Sequence, residues 1–327
     1  MPWFDMPADR LVAYRTPTVE PEGLDDWWQA RLGEARAAAK PTVLRPHEPE
    51  AYGSLPVADV EFSGADGDPI RAWYIRPPGS GDTPLPTVVT FIGYGGGRGL
   101  PVEHTLLPST GFAVFVMDTR GQGGRWSVGA TGDPGAALAG PAHPGMMTRG
   151  IETPETYYYT RLIVDAARAV QVAAELDGVD RDRIAVSGVS QGGGLALAAA
   201  ALSGELVKLC HADLPFLCDF QRAVTITGKT PYSEVADFLA QNVDLVPAAL
   251  DTLRYVDCAL LARRITAECL VTAGLMDDVC PPSTVYAAYN EITAPKDIAV
   301  FPFTGHSLPR AHVERQLRHL RTVLAPR

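Results

Sequence analysis

Residues 188–192, with the sequence GVSQG, have the pattern of a nucleophile elbow, a sharp turn that presents a serine between a strand and a helix. The turn is tight enough to favour glycine on both sides of the serine, as at Gly188 and Gly192. Backbone N–H groups at the start of the following helix would stabilise the negative charge of an oxyanion. We therefore interpret Ser190 as a nucleophile. The alternatives are an ordinary serine in a glycine-rich turn and a phosphate-binding loop.

A serine hydroxyl is a weak nucleophile at neutral pH, so it needs a histidine as general base and an acid that orients this histidine. His306 lies in a loop just after a predicted strand, where such a base is expected. His312 and His319 fall on a predicted helix among charged residues, a pattern typical of a solvent-exposed face. His211 precedes any plausible acid. We therefore predict that His306 is the general base.

The acid is expected in the loop after the preceding predicted strand, and two adjacent aspartates, Asp277 and Asp278, follow that strand. Neighbouring side chains point in different directions, so only one of them can orient the histidine. The residue types alone do not choose between the two. Either aspartate could instead cap the helix that is expected after Pro281 and Pro282.

A second glycine-rich loop, residues 93–97 (GYGGG), directly follows the apolar run TVVTFI. Enzymes with a nucleophile elbow take one oxyanion donor from the loop after an early strand and the other from the residue after the nucleophile. We therefore predict that the backbone N–H groups of Tyr94 and Gln191 bind the oxyanion. A flexible turn is the alternative interpretation of the loop.

The elements around these residues alternate between strands and helices, which predicts an α/β fold with a mostly parallel sheet covered by helices on both faces. Apolar runs such as VVTFI and FAVFVM are typical of strands buried on both faces. We predict an antiparallel pair at the sheet edge over 57–62 and 70–75, and further strands over 183–187, 223–226, 269–273 and 298–301. Helices are predicted over 22–39, 155–175, 191–202, 282–291 and 311–324. Residues 1–327 are interpreted as one domain, with an N-terminal extension and edge strands over 1–80 and a catalytic core over 81–327.

The composition excludes several classes of partner. A formal net charge of −10 argues against nucleic acid, which proteins bind mainly through lysine and arginine. The sequence contains no apolar run of about 18 residues, so no membrane span is expected. The N-terminal residues lack the pattern of a secretory signal, which predicts a cytoplasmic protein.

The five cysteines form an odd set without the paired spacing of a zinc site, so we expect buried thiols in a reducing compartment and no metal. A disulfide between Cys210 and Cys218 is the alternative.

Three short segments resemble the signature of carbohydrate esterase family 7, which comprises acetyl xylan esterases and cephalosporin C deacetylases. They are residues 120–122 (RGQ), residues 188–192 (GVSQG) and His306. The likeness extends through most of the chain, including MPWFDMP, GYGGGRG, MDTRGQGG, ADLPFLCDF and GLMDDVCPPSTVYAAYN. The resemblance implies the α/β-hydrolase fold. It also implies that the acid is Asp277, directly after Gly-Leu-Met, and not Asp278.

The same resemblance implies that Arg120 and Gln122 support the active site structurally. No cofactor is expected, because the triad mechanism requires none and the sequence has no ligand spacing for one. Substrates of the family are small acetyl esters, namely short xylooligosaccharides, other small sugars and cephalosporins. Many members are homo-oligomers, and specifically hexamers. One departure is the residue after His306, which is Ser307 where the family has glutamate.

We therefore predict a serine esterase that hydrolyses acetyl esters of small molecules through a Ser-His-Asp triad and an acyl-enzyme. The alternatives are an amidase or peptidase with the same triad, a carboxylesterase for longer acyl chains, and a catalytically silent binding protein. Ser307 leads us to expect that the natural ester differs from a xylan fragment.

Overall fold

Nine strands form a single sheet within residues 3–134 and 145–325, which are the residues that this computed structural model describes. In chain order the strands are β1 (Val43–Pro46), β2 (Val57–Ser63), β3 (Pro69–Ile75), β4 (Leu85–Phe91), β5 (Ala113–Met117), β6 (Val179–Val189), β7 (Val207–Asp213), β8 (Glu268–Gly274) and β9 (Lys296–Phe301). Their order across the sheet is β1-β2-β3-β5-β4-β6-β7-β8-β9. The pairs from β1 to β5 are antiparallel, and every pair from β5 through β4 to β9 is parallel. The predicted mostly parallel sheet is confirmed.

Helices cover both faces of the sheet. They are α1 (Ala8–Leu11), α2 (Leu24–Ala37), α3 (Pro49–Tyr52), α4 (Leu106–Ser109), α5 (Tyr158–Glu175), α6 (Gln191–Ser203), α7 (Phe220–Ile226), α8 (Tyr232–Gln241), α9 (Val246–Val256), α10 (Cys258–Leu261), α11 (Pro282–Glu291) and α12 (Ala311–Val323). Short 3₁₀ turns lie at Ala65–Gly67, Pro101–His104, Gly204–Leu206, Val243–Leu245 and Ala262–Arg264. The main core lies between one face of the sheet and α2, α5 and α6, whereas α12 packs on the other face.

The two central helices show why the core is dense. Most side chains of α5 are buried, because it lies between the sheet, α2 and α6. The first turn of α6 carries Gly192, Gly193 and Gly194, and a Cβ on any of them would approach backbone atoms of neighbouring segments too closely. Glycine therefore lets the helix that follows Ser190 lie directly against the carboxyl ends of the strands.

Two features of the predicted sheet are wrong. Residues 223–226 lie in α7, and the strand of this region is β7, which precedes it. β7 carries His211 and Asp213, so it has no continuous apolar run, and the histidines of α12 that pair with these side chains are remote in sequence. The antiparallel pair β2–β3 is confirmed, but the edge strand of the sheet is β1 and not β2. β1 carries no predictive pattern, because it is short, fully exposed and without alternating apolar residues.

All five cysteines are buried, free thiols, so the predicted thiols are confirmed and the alternative disulfide between Cys210 and Cys218 is wrong. Across the described ranges, no helix combines the length and apolar character needed to cross a bilayer.

Candidate active site

Ser190 occupies the turn between β6 and α6, as predicted from the elbow pattern. Its backbone has φ 60° and ψ −119°, a strained conformation for a residue with a side chain. A Cβ at Gly188 would overlap the backbone of Gly192, and a Cβ at Gly192 would overlap the carbonyl of Phe91. The glycines are therefore required by close approach of the backbone, and the predicted placement of Ser190 is confirmed.

The turn is fixed by backbone hydrogen bonds to the last residue of β7, to the segment that follows β7 and to the first turn of α6. The N–H of Ser190 donates to the carbonyl of Asp213 at 2.8 Å, and the carbonyl of Ser190 accepts from Phe216 N–H and Gly194 N–H at 3.0 Å each. These bonds hold the strained residue on both sides, so the serine side chain points away from the sheet into a cavity.

His306 and Asp277 form a hydrogen-bonded pair next to Ser190. Nδ1 of His306 lies 2.8 Å from Oδ2 of Asp277, whose side chain is fully buried. The other carboxylate oxygen of Asp277 accepts the N–H groups of Val279 and Cys280 at 2.9 Å each. Because a carboxylate can only accept, the proton lies on Nδ1 and the free Nε2 of His306 is an acceptor.

The adjacent aspartate is directed elsewhere. A carboxylate oxygen of Asp278 lies 3.7 Å from Nζ of Lys229, and its carbonyl accepts a hydrogen bond from the hydroxyl of Thr227. The geometry thus selects Asp277 as the partner of His306, in agreement with the choice that the resemblance implied.

Ser190 and His306 line one cavity of about 380 Å³. The other lining residues are Gly93, Tyr94, Arg125, Trp126, Val189, Thr230, Pro231 and Val279. Among the hydrogen bonds of the described residues, none joins the hydroxyl of Ser190 to His306. Burial, and then the nearby Asp277, raise the pKa of the Cys280 thiol, so this neighbour of Ser190 stays protonated.

The two predicted oxyanion donors lie beside this cavity. Tyr94 is in the loop after β4, and Gln191 is the first residue of α6. Within 3–134 and 145–325, the backbone N–H of neither residue donates a hydrogen bond to another protein group. Both donors are therefore available to a bound oxyanion.

Gln122 connects these two donor segments. Its Oε1 accepts the N–H of Gly95 at 2.6 Å, and its Nε2 donates to Oε1 of Gln191 at 3.0 Å. The side-chain amide of Gln191 in turn donates through Nε2 to the carbonyl of Ile92 at 3.1 Å, and its Oε1 accepts from the hydroxyl of Tyr159 at 2.9 Å. The side chain of Gln122 thus fixes the oxyanion loop relative to α6.

Arg120 lies one layer further from the cavity and is fully buried. Its guanidinium donates to both oxygens of Asp165 at 2.5 and 2.8 Å, to Asp68 at 3.0 Å and to Asp133 at 3.3 Å. Burial lowers the pKa of Arg120, but the carboxylates, Asp165 foremost, raise it by more, so it keeps its charge. Its carbonyl accepts the hydroxyl of Tyr158, which also accepts from Gln122. Arg120 therefore joins α5 and the β2–β3 turn to the segment that carries Gln122.

The sequence interpretation missed one contact beside the cavity and the burial of one histidine on α12. The hydroxyl of Tyr94 donates to Glu234 on α8 at 2.7 Å and accepts the N–H of Met146 at 2.8 Å. Burial is the main cause of the raised pKa of this tyrosine, so it remains a donor. An acid on an amphipathic helix gives no signal of this contact. The predicted exposure of His312 is also wrong, since its ring is buried against Asp213.

No cluster of three or more His, Cys, Asp or Glu side chains in the described part of the chain is arranged to hold a metal ion.

Known proteins are similar to this chain over most of its length. A family model described as acetyl xylan esterase (AXE1) matches residues 1–323. The chain is 26% identical over 295 residues to the acetyl esterase Axe7A of Xylanibacter ruminicola; the match covers 88% of this chain and only 64% of that protein.

Two solved structures are similar over their full length. An acetyl xylan esterase from Paenibacillus sp. R4 has 35% identity and a TM-score of 0.90, with 97% of this chain and 100% of that chain covered. Acetyl xylan esterase 1 from Thermoanaerobacterium sp. has 32% identity and a TM-score of 0.89, with 99% and 100% covered. The predicted α/β-hydrolase fold and the resemblance are therefore confirmed.

Proposed function

Because this chain belongs to the acetyl xylan esterase (AXE1) family, we propose that it is a serine esterase that hydrolyses acetyl esters of small molecules. The observation that carries the proposal is the cavity that Ser190, His306 and Tyr94 line together, with Asp277 bonded to His306 behind it. Next to Ser190, the backbone N–H groups of Tyr94 and Gln191 have no protein acceptor among the described residues. This is the set of groups that acyl transfer requires: a nucleophile, an oriented base and oxyanion donors.

In the proposed reaction, the hydroxyl oxygen of Ser190 attacks the acetyl carbonyl while Nε2 of His306 accepts its proton. The N–H groups of Tyr94 and Gln191 bind the oxyanion, and Asp277 stabilises the imidazolium. The alcohol leaves with the proton from His306 and an acetyl-enzyme remains. Water, deprotonated by His306, then attacks the acetyl carbonyl, and acetate leaves as Ser190 regains its proton.

The substrate class is also a proposal. A cavity of about 380 Å³ suits a small ester, because it is at the lower end of the size range of ligand pockets. Acetylated xylooligosaccharides, other acetylated sugars and cephalosporin C are the candidates that the family suggests.

Ser307, the residue after the candidate base, is exposed, and its side chain takes part in none of the hydrogen bonds found in the described residues. Asp277 alone therefore orients His306 from this side.

The first test compares p-nitrophenyl acetate, butyrate and octanoate, with cephalosporin C and acetylated xylobiose as further substrates, in wild type and Ser190→Ala. We expect activity selective for acetate that falls by about 10⁶-fold in the variant, as for removal of a triad serine. Preference for octanoate would favour the longer-chain carboxylesterase, and faster cleavage of p-nitroacetanilide would favour the amidase. Absence of both activities, together with failure of a fluorophosphonate to label Ser190, would indicate a silent binding protein.

The oligomeric state and the cytoplasmic location stay predictions. We propose a homo-oligomer, which light scattering coupled to size-exclusion chromatography would identify by its mass. A monomer at micromolar concentration would contradict this.

A further inference from the structure

The C-terminal helix α12 turns polar side chains toward the sheet, where a covering helix normally places apolar ones. Nε2 of His312 lies 3.0 Å from Oδ1 of Asp213, and Nε2 of Gln316 donates to the other carboxylate oxygen at 2.8 Å. His312 and Gln316 are four residues apart and therefore lie on one face of the helix. The side chains of His312 and Asp213 are only 1% and 3% exposed.

Asp213 connects this helix to the candidate nucleophile. While its carboxylate binds α12, its backbone carbonyl accepts the N–H of Ser190 at 2.8 Å. Ser190 has a positive φ that an L-residue adopts only when its surroundings impose it. The hydrogen bond to Asp213 is one of the contacts that impose it. The backbone of Asp213 is paired with β6 and β8 in the sheet, and α12 holds its carboxylate.

α12 also lies next to the loop that carries the candidate general base, His306. α12 directly follows the loop that contains His306, and Phe301, the last residue of β9 before that loop, packs edge-on against the ring of His312 with centroids 5.6 Å apart. Nδ1 of His312 is buried and has no hydrogen-bond partner among the described residues. A buried unpaired nitrogen is uncommon and calls for a reason. The ring therefore takes its orientation from the other nitrogen, whose partner is Asp213.

We infer that Asp213, held by His312 and Gln316, is a positioning residue that keeps Ser190 in register with His306. The inference rests on the proposed function, because it concerns the distance over which the serine proton is transferred. None of the three residues lines the cavity, so none is expected to touch the substrate. They act through the backbone of the elbow and through the start of α12.

His319 offers a matched control on the same helix. It also faces the sheet, and its ring nitrogens contact Glu268 at 2.8 Å and His211 at 3.2 Å. In contrast to His312, it has no hydrogen bond to Asp213 and no ring contact with Phe301 among the contacts of the described residues. Loss of His319 should therefore weaken the packing of α12 without moving the elbow.

The experiment compares His312→Ala, His312→Gln and His319→Ala with wild type. It measures kcat and KM on p-nitrophenyl acetate, the rate of fluorophosphonate labelling, and Tm. We expect both alanine variants to lower Tm, but only His312→Ala to lower kcat and the labelling rate, by about 10²-fold as for a displaced reacting group, with little change in KM. His312→Gln keeps an N–H donor for Asp213 and should recover most of this loss.

Equal kcat in His312→Ala and His319→Ala, or a change confined to KM, would overturn the inference. If His312→Ala fails to fold, Gln316→Leu takes its place, because it removes one of the two bonds to Asp213 and must show the same fall in kcat. Failure of the proposed function itself is distinguishable, since wild type would then lack activity that depends on Ser190.

Discussion

Asp277 and Asp278 are neighbours of identical chemistry in very different surroundings. Asp277 is fully buried and holds His306 in the tautomer with a free Nε2, whereas Asp278 faces Lys229 near the surface. In an amide at this position, the oxygen would accept the N–H groups of Val279 and Cys280, so the NH₂ group would face His306. The NH₂ group cannot accept the Nδ1 proton, which favours the wrong tautomer. The burial of each side chain and the direction in which it points therefore decide which aspartate is the acid.

Asp277→Asn should lower kcat on p-nitrophenyl acetate by about 10⁴-fold, the effect of losing the acid of a serine triad. Asp278→Asn is the control and should stay within about twofold, since a partly exposed ion pair contributes little. Steady-state kinetics at pH 7.5 measure both. Comparable losses in the two variants would contradict the assignment.

At the scale of elements, the strand-turn-helix unit around Ser190 depends on glycines that leave room for backbone contacts. Gly188→Ala would place a methyl group inside the backbone of Gly192, so the turn would have to open. We expect soluble Gly188→Ala protein to have a lower Tm and to react with a fluorophosphonate at least about 10²-fold more slowly.

Gly33→Ala provides the matched control. Gly33 lies within α2, where an added Cβ meets only the end of the Arg36 side chain at 3.9 Å. Alanine should stabilise this helix by about 0.5–1 kcal/mol and leave the labelling rate unchanged. A Gly188→Ala enzyme that labels as fast as Gly33→Ala would show that the elbow tolerates the methyl group.

The sequence could predict those elements whose pattern is local. The elbow, the loop after β4 and the buried strands each carry their signal within a few residues, and α11 has the bounds expected for it. β7 could not be predicted, because the hydrogen-bond partners of its histidine and aspartate lie about a hundred residues away in the chain. The contact between Tyr94 and Glu234 is hidden in the same way, since these residues are 140 positions apart.

Alternatives remained open wherever the deciding contact is non-local. The residue types left Asp277 and Asp278 equal, and the helical pattern of α12 placed His312 on the wrong face. Tertiary contacts resolve both, since each buried polar group requires a specific partner. The sequence therefore predicts the residues of the candidate site better than the residues that hold them in place.

At the scale of the whole molecule, buried ionisable groups link distant parts of the chain. Arg120 joins Asp68 of the N-terminal segment to Asp165 of α5, and His211 joins the centre of the sheet to His319 of α12. Such groups make the stability of the fold depend on pH, because burial favours one protonation state and unfolding removes that preference.

His211 gives the clearest case. Burial, followed by the charges of His319 and His312, lowers the pKa of His211 from 6.5 to about 3 in the folded protein. Above pH 6.5 the imidazole is neutral in both states, so it contributes no pH dependence. As the pH falls from 6.5 toward 3, the unfolded chain binds a proton that the folded chain does not, and stability is lost. At pH 5 this loss amounts to about 2 kcal/mol.

His211→Gln removes the titrating group and keeps a side-chain N–H donor that can reach His319. The variant can be less stable than wild type at pH 8, but its free energy of unfolding should fall by about 2 kcal/mol less than that of wild type between pH 8 and pH 5. Urea unfolding at the two pH values measures this difference, in which other titrating groups largely cancel. If both proteins lost the same unfolding free energy, His211 would bind its proton as readily in the folded protein as in the unfolded chain. The burial of His211 between β7 and α12 opposes this.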